Sequence, residues 1–233
     1  MNQNSLKTGD QQGFSLIELL VMMVLILIVS TIAIFYLTGH RKLYNTDEEA
    51  LQVIDLIQEA RQRALTQREI LRVEIDLTTN SGRLINENDP LTASDDRMVR
   101  QVTFFPSANV RMDMRPNNIT IAPPEILPAP TAVFTGSLHP LSAGHNVATF
   151  RFLADGTVRN AGTNALGANS VPTGTTLYIW KPKAGYPNES DLTKAITILG
   201  ATGSVRMWDV AKAADGSLYW KDSRRSGYGS PAR

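Results

Sequence analysis

From residue 19 to residue 37 the only polar side chains are Ser30, Thr31 and the hydroxyl of Tyr36. As a helix this run would rise roughly 28 Å, about one hydrocarbon core, so it predicts a membrane span. The helical pattern continues beyond it. Leu43, Ala50, Ile57 and Ala64 recur every seven residues with Val53, Ile54 and Ala60 beside them, and no proline intervenes before Pro90. One helix over about 14–67 follows. Asp47, Glu48, Glu49, Asp55, Glu59, Arg61, Arg63 and Arg68 fall largely off the apolar stripe. The outer half is therefore amphipathic, and its stripe is the expected spine for a sheet.

From Ile70 onward short runs of Val, Ile, Thr and aromatic residues alternate with Gly, Pro and Asn, the texture of an antiparallel sheet. Strands are predicted at 71–77, 83–85, 99–105, 119–121, 148–153, 177–180, 195–199, 205–208 and 218–220. Asp155-Gly156 has the spacing of a tight hairpin between Phe150-Arg151-Phe152 and Thr157-Val158-Arg159. A second hairpin is expected to turn through Ala201-Thr202-Gly203. The prolines of 116–130 and the Gly/Asn/Ala-rich stretch 160–174 read as loops, and the tail after Trp220 is expected to fray. The fold class predicted is α+β: a long N-terminal hydrophobic helix packed on a C-terminal antiparallel β-sheet head.

Composition narrows the function. A chain of 233 residues with 42% hydrophobic content supports one globular head and an appendage. Twenty-three basic and 22 acidic side chains leave a net charge of +1, so the balance names no polyanionic or nucleic-acid partner. The absence of cysteine excludes disulfides, thiolate zinc sites and cysteine nucleophiles. No Gly-x-Ser-x-Gly elbow, phosphate loop or His-Glu-x-x-His motif occurs, so no catalytic residue, cofactor or enzymatic activity is predicted. His40, His139 and His145 read as solvated. Glu87-Asn88-Asp89 and Asp95-Asp96 lack calcium-ligand spacing and read as solvated turns, so no metal site is predicted. Arg97, Arg100, Arg111 and Arg115 would be the residues of any basic nucleic-acid face, although arginines on strands usually mark the solvent side.

The N-terminus departs from a secretory signal peptide. Its apolar run is long, and Leu37-Thr38-Gly39 after it is a poor cleavage site because Leu37 is bulky. The span is therefore expected to stay on the protein. Glu18 places a carboxylate at the edge of the span with no opposite charge in its own helix, an arrangement that usually has a reason. Gly13-Phe14-Ser15-Leu16-Ile17-Glu18 resembles, at every position, the N-terminal motif of type IV prepilins and type II secretion pseudopilins.

The resemblance implies a leader, residues 1–13, removed by a prepilin peptidase between Gly13 and Phe14, with N-methylation of Phe14. It implies a helix over 14–68, of which 14–37 spans the membrane and serves assembly and 38–68 is amphipathic, and a β-rich head over 69–233. It also implies an inner-membrane, single-pass protein with a periplasmic head, incorporated into a filament. The partners implied are other pilin or pseudopilin subunits, the peptidase, an inner-membrane assembly platform and membrane lipid. With Phe14 first, Glu18 sits about 6 Å along the helix, where it could meet the amine of a neighbouring subunit. The basic run His40-Arg41-Lys42 points the other way, since a positive-inside count would put the head in the cytoplasm. The stretch 147–208 resembles the head of the H-type minor pseudopilins and related minor type IV pilins. Two alternatives stay open: a β-domain tethered by an ordinary signal anchor as a binding module, and a minor pilin that binds DNA for uptake.

Overall fold

The structure, a computed structural model, describes residues 15–87, 95–125, 141, 144–160, 162 and 169–223, without the side chains of 35–43. The chain forms two compact units, Met1–Lys42 and Leu43–Arg233. Helix α1 covers Leu16–Gln67. Ser15 caps its start, the Ser15 carbonyl accepting the N–H groups of Glu18 (3.0 Å) and Leu19 (3.1 Å). At its end Arg68 takes φ 58°, the left-handed conformation that commonly closes a helix.

In the second unit, Ala50, Val53, Leu56, Ile57, Ala60 and Ala64 of α1 are fully buried. Two five-stranded antiparallel sheets supply the rest of the core. The first comprises β1 (Ile70–Asp76), β2 (Ser81–Glu87), β3 (Arg97–Thr103), β5 (Val147–Phe152) and β6 (Val158–Arg159), in the order β3-β2-β1-β5-β6. The second comprises β4 (Arg111–Asp113), β7 (Thr175–Lys183), β8 (Tyr186–Ile198), β9 (Val205–Lys212) and β10 (Leu218–Asp222), in the order β10-β9-β8-β7-β4. Leu71, Val73, Ile75, Phe150 and Phe152 of the first sheet and Leu177, Ile179, Ile196 and Ile198 of the second share one hydrophobic cluster with the helix. Every second residue of these strands faces inward, as a pleated strand requires.

The α+β class and the antiparallel pairing are as the sequence predicts, but the head has two sheets instead of one. Short β6 joins them by backbone bonds: Val158 N–H donates to the Gly200 carbonyl (2.7 Å), and Thr173 N–H donates to the Val158 carbonyl (3.2 Å). Both hairpins form where expected. Phe152 pairs with Val158 around Gly156, whose φ of 83° suits a residue without Cβ, and Ile198 pairs with Val205. The strand expected at 119–121 does not form, and β4 at Arg111–Asp113 takes its place on the sheet edge. Residues 114–125 instead cross the outer face of the second sheet as a strap. Trp180 Nε1 donates to the Met114 carbonyl (3.2 Å) and Trp220 Nε1 to the Ile121 carbonyl (3.3 Å). Ile119 is buried there without ladder partners, because Pro116, Pro123 and Pro124 withhold the donors that a strand needs.

Candidate functional site

The candidate site is the start of α1. Gly13 and Phe14 lie outside the described residues, and Glu18 stands in the first turn, exposed. Ser15 and Glu18 occupy the first and last places of a capping-box spacing, and a carboxylate there is favoured by the positive end of the helix dipole. Residues Leu16–Ile34, which include Glu18, form a span of 19 residues, long and apolar enough to cross a membrane and buried nowhere in the fold. Its large side chains are 47–84% exposed, a helix apolar all round with no protein to cover it. Thr31 needs no outside partner, since its hydroxyl donates to the Leu27 carbonyl at 2.8 Å. Glu18 is the single acid in this span.

Residues 9–34 match the prokaryotic N-terminal methylation motif. The match covers Gly13, Phe14 and Glu18 together with the apolar span, and it supports the type IV pilin and pseudopilin superfamily. It supports, with the exposed span, a membrane-anchored subunit of pilin type that assembles with other such subunits. No curated protein and no solved structure matches the chain.

The described residues of the head contain no comparable constellation. Among the described residues no group of three His, Asp or Glu side chains is placed to hold a metal ion. His145 Nδ1 lies 2.7 Å from Asp76 Oδ2, so it is a hydrogen-bond partner and not merely solvated; His139 and the His40 side chain lie outside the described residues. The reading of the acidic clusters as solvated turns also needs correction. Glu87 is buried and accepts from Arg72 and from Arg151 Nε (3.0 Å), and Asp96 accepts from Arg72 Nη2 (2.7 Å). Asn88 and Asp89 lie outside the described residues. Arg97 and Arg100 stand on β3 of the first sheet, whereas Arg111 belongs to β4 of the second and Arg115 follows it. Arg100 is paired with Asp55 (2.8 Å) and Glu59 (2.6 Å), and Arg111 with Asp113 (2.7 Å), while its guanidinium lies 5.3 Å from the Trp180 ring centre.

Three buried polar arrangements in the second unit escape a sequence reading. Arg72, 1% exposed, holds Glu74, Glu87 and Asp96; burial pushes its pKa down, and those three carboxylates outweigh burial and raise it. Asp76 is pushed up by burial but held at about 2 by His145, the Thr79 N–H and Arg83. Glu49, 1% exposed on the inner face of α1, is raised by burial to about 8 against the opposing Phe105 N–H bond of 3.1 Å. The alternation Leu71-Arg72-Val73-Glu74-Ile75-Asp76 signals one polar face of β1, but nothing in it signals that this face is covered.

Proposed function

We propose that this chain is a minor structural subunit, without enzymatic activity, of a type II secretion pseudopilus or a type IV pilus. Residues 1–13 act as the leader, a prepilin peptidase cuts between Gly13 and Phe14, and the Phe14 amine is methylated. Residues 14–68 form the assembly helix and 69–233 the head, carried in the periplasm from an inner-membrane anchor. The observation that carries this reading is the methylation motif over residues 9–34, laid on an apolar helix whose one acid is Glu18. The hairpins β5–β6 and β8–β9 favour the H-type minor kind.

The mechanism follows from electrostatics. A carboxylate in hydrocarbon costs on the order of 2.5–3.5 kcal/mol at the centre of a span. Pairing Glu18 with the cationic Phe14 amine of a neighbour offsets that cost only on assembly, which couples subunit docking to registry. Glu18→Leu should leave cleavage intact and remove the subunit from sheared filaments. Normal incorporation of Glu18→Leu would sink the pairing mechanism.

A further inference from the structure

The turns of both hairpins close against the last part of α1. Gly203 of the β8–β9 turn takes φ 62°, and a Cβ there would stand 2.5 Å from the Gly156 carbonyl oxygen and 3.1 Å from Arg61 Cδ. Only glycine lets the turn approach so closely. Gly156 in its turn faces Leu65, whose Cδ2 would lie 3.1 Å from an added Cβ. Between the β8–β9 turn and the helix opens a notch of about 440 Å³, lined by Gln58, Arg61, Gln62, Leu65, Ser204 and Val205.

This lining holds donors and no carboxylate. Arg61 is half-buried, and its Nε donates to the Thr202 carbonyl at 3.1 Å, which fixes the plane of the guanidinium. Its two Nη groups have no partner among the described residues. The acids close to it in the fold are committed elsewhere. Glu59 holds Arg63 (2.7 Å) and Arg100 (2.6 Å), and Asp155 accepts from the N–H (2.9 Å) and the hydroxyl (2.7 Å) of Thr157. The other half-buried arginines are neutralised: Arg63, Arg100 and Arg111 each hold a carboxylate, at 2.7, 2.6 and 2.7 Å. Arg159 lies beside Asp155, whose carboxyl the Thr157 bonds, and after them Arg159, keep below the usual range. A cation that has given up part of its water ordinarily carries a counter-charge. Among the described residues Arg61 is the half-buried arginine that lacks one.

We propose that this notch binds a carboxylate of a partner protein, an Asp or Glu side chain that stands beside an apolar one. The two Nη groups of Arg61 form the fork that meets both oxygens of a carboxylate, and the Gln58 and Gln62 amides supply further donors. Leu65, 40% exposed, covers the apolar neighbour. The Thr202 carbonyl and the Gly203 turn already hold the arginine stem, so little side-chain freedom is left to lose on binding. The notch lies wholly within the second unit, and the proposal does not depend on a filament role.

The test uses the full chain, labelled with nitrogen-15 and held in mild detergent. It is titrated with N-acetyl-Leu-Glu-amide, and with N-acetyl-Leu-Gln-amide as the neutral control, while the arginine Nε–H and Gly203 amide NMR signals are followed. The expected result is a saturable shift of the Arg61 and Gly203 signals by the Glu peptide, with a dissociation constant on the order of 1 mM. The Gln peptide should bind about tenfold more weakly. Arg61→Lys keeps the charge without the fork and should also lose about tenfold. Gln58→Glu places an acid one turn before Arg61 and should abolish the shift by filling the notch from within. Equal binding of the two peptides would overturn the proposal, as would a shift that never saturates or one shared equally by the exposed Arg97 and Arg115. Unchanged indole signals of Trp180, Trp208 and Trp220 show that each variant is folded. Should Arg61→Lys lose them, Gln58→Glu decides alone, and binding equal to the parent's in that variant would overturn the proposal.

Discussion

Glu49 offers the sharpest quantitative test of the head. Its carboxyl titrates near 4.5 when unfolded and near 8 when folded, because it lies 1% exposed between α1 and the strands, with one backbone donor at Phe105. The unfolded chain therefore releases this proton well before the folded one, and folding stability declines as pH rises between those values. At about 1.4 kcal/mol per pH unit, the interval amounts to about 5 kcal/mol, of which about 3 kcal/mol is already lost at pH 7. That is a large part of the 5–15 kcal/mol by which domains of roughly this size are stable. Glu49→Gln keeps the shape and an acceptor for the Phe105 N–H while removing the titration. The variant should match the parent near pH 5 and exceed it by about 4 kcal/mol near pH 9. Urea unfolding of the full chain in mild detergent reads this directly, since Trp180, Trp208 and Trp220 all lie in the head and report its packing through their fluorescence. A parent whose urea midpoint does not fall from pH 5 to pH 9, with no gain for Glu49→Gln at the upper end, would refute the reasoning.

Two further outcomes follow from the buried ion pairs. Arg72→Met should cost about 3–5 kcal/mol, because it takes the shared cation from Glu74, Glu87 and Asp96; the urea midpoint at pH 7 measures it. Asp76, held at about 2 in the fold against 3.8 unfolded, contributes stability above pH 3.8 that disappears as pH falls toward 2. The parent should lose about 2 kcal/mol across that window and Asp76→Asn should not, as acid titration followed by tryptophan fluorescence would show.

The sequence is most legible where one physical demand acts alone. The apolar run and its heptad continuation specify α1, since only a helix satisfies its backbone in hydrocarbon and buries Ala50, Val53, Ile57 and Ala60 on one side. Hairpins with Asp-Gly or Thr-Gly turns are equally local, so β5–β6 and β8–β9 stand where the turn chemistry puts them. What fails is long-range. Nothing near 111–113 predicts that Arg111, Met112 and Asp113 will pair with Trp180, Ile179 and Tyr178, far along the chain. Ile119 reads as a strand residue because burial and strand propensity look alike in one sequence, whereas the tryptophan donors that hold its strap come from β7 and β10. The same distance hides the ion network. Arg72, Glu87, Asp96 and Arg151 look like ordinary solvent-facing residues until β2 and β5 flank β1. The reading of the candidate site rests on local sequence alone, since Gly13, Phe14 and Glu18 adjoin the span in the chain and Gly13 and Phe14 lie outside the described residues.

The central claim concerns a processed and methylated N-terminus, and mass spectrometry of the membrane-fraction chain, with and without prepilin peptidase, tests it most directly. The account predicts a terminal peptide that begins at N-methylated Phe14 and disappears when the peptidase is absent. An intact leader retained through Gly13, or a cut beyond Leu37, would contradict it and return the chain to the class of heads tethered by an ordinary signal anchor.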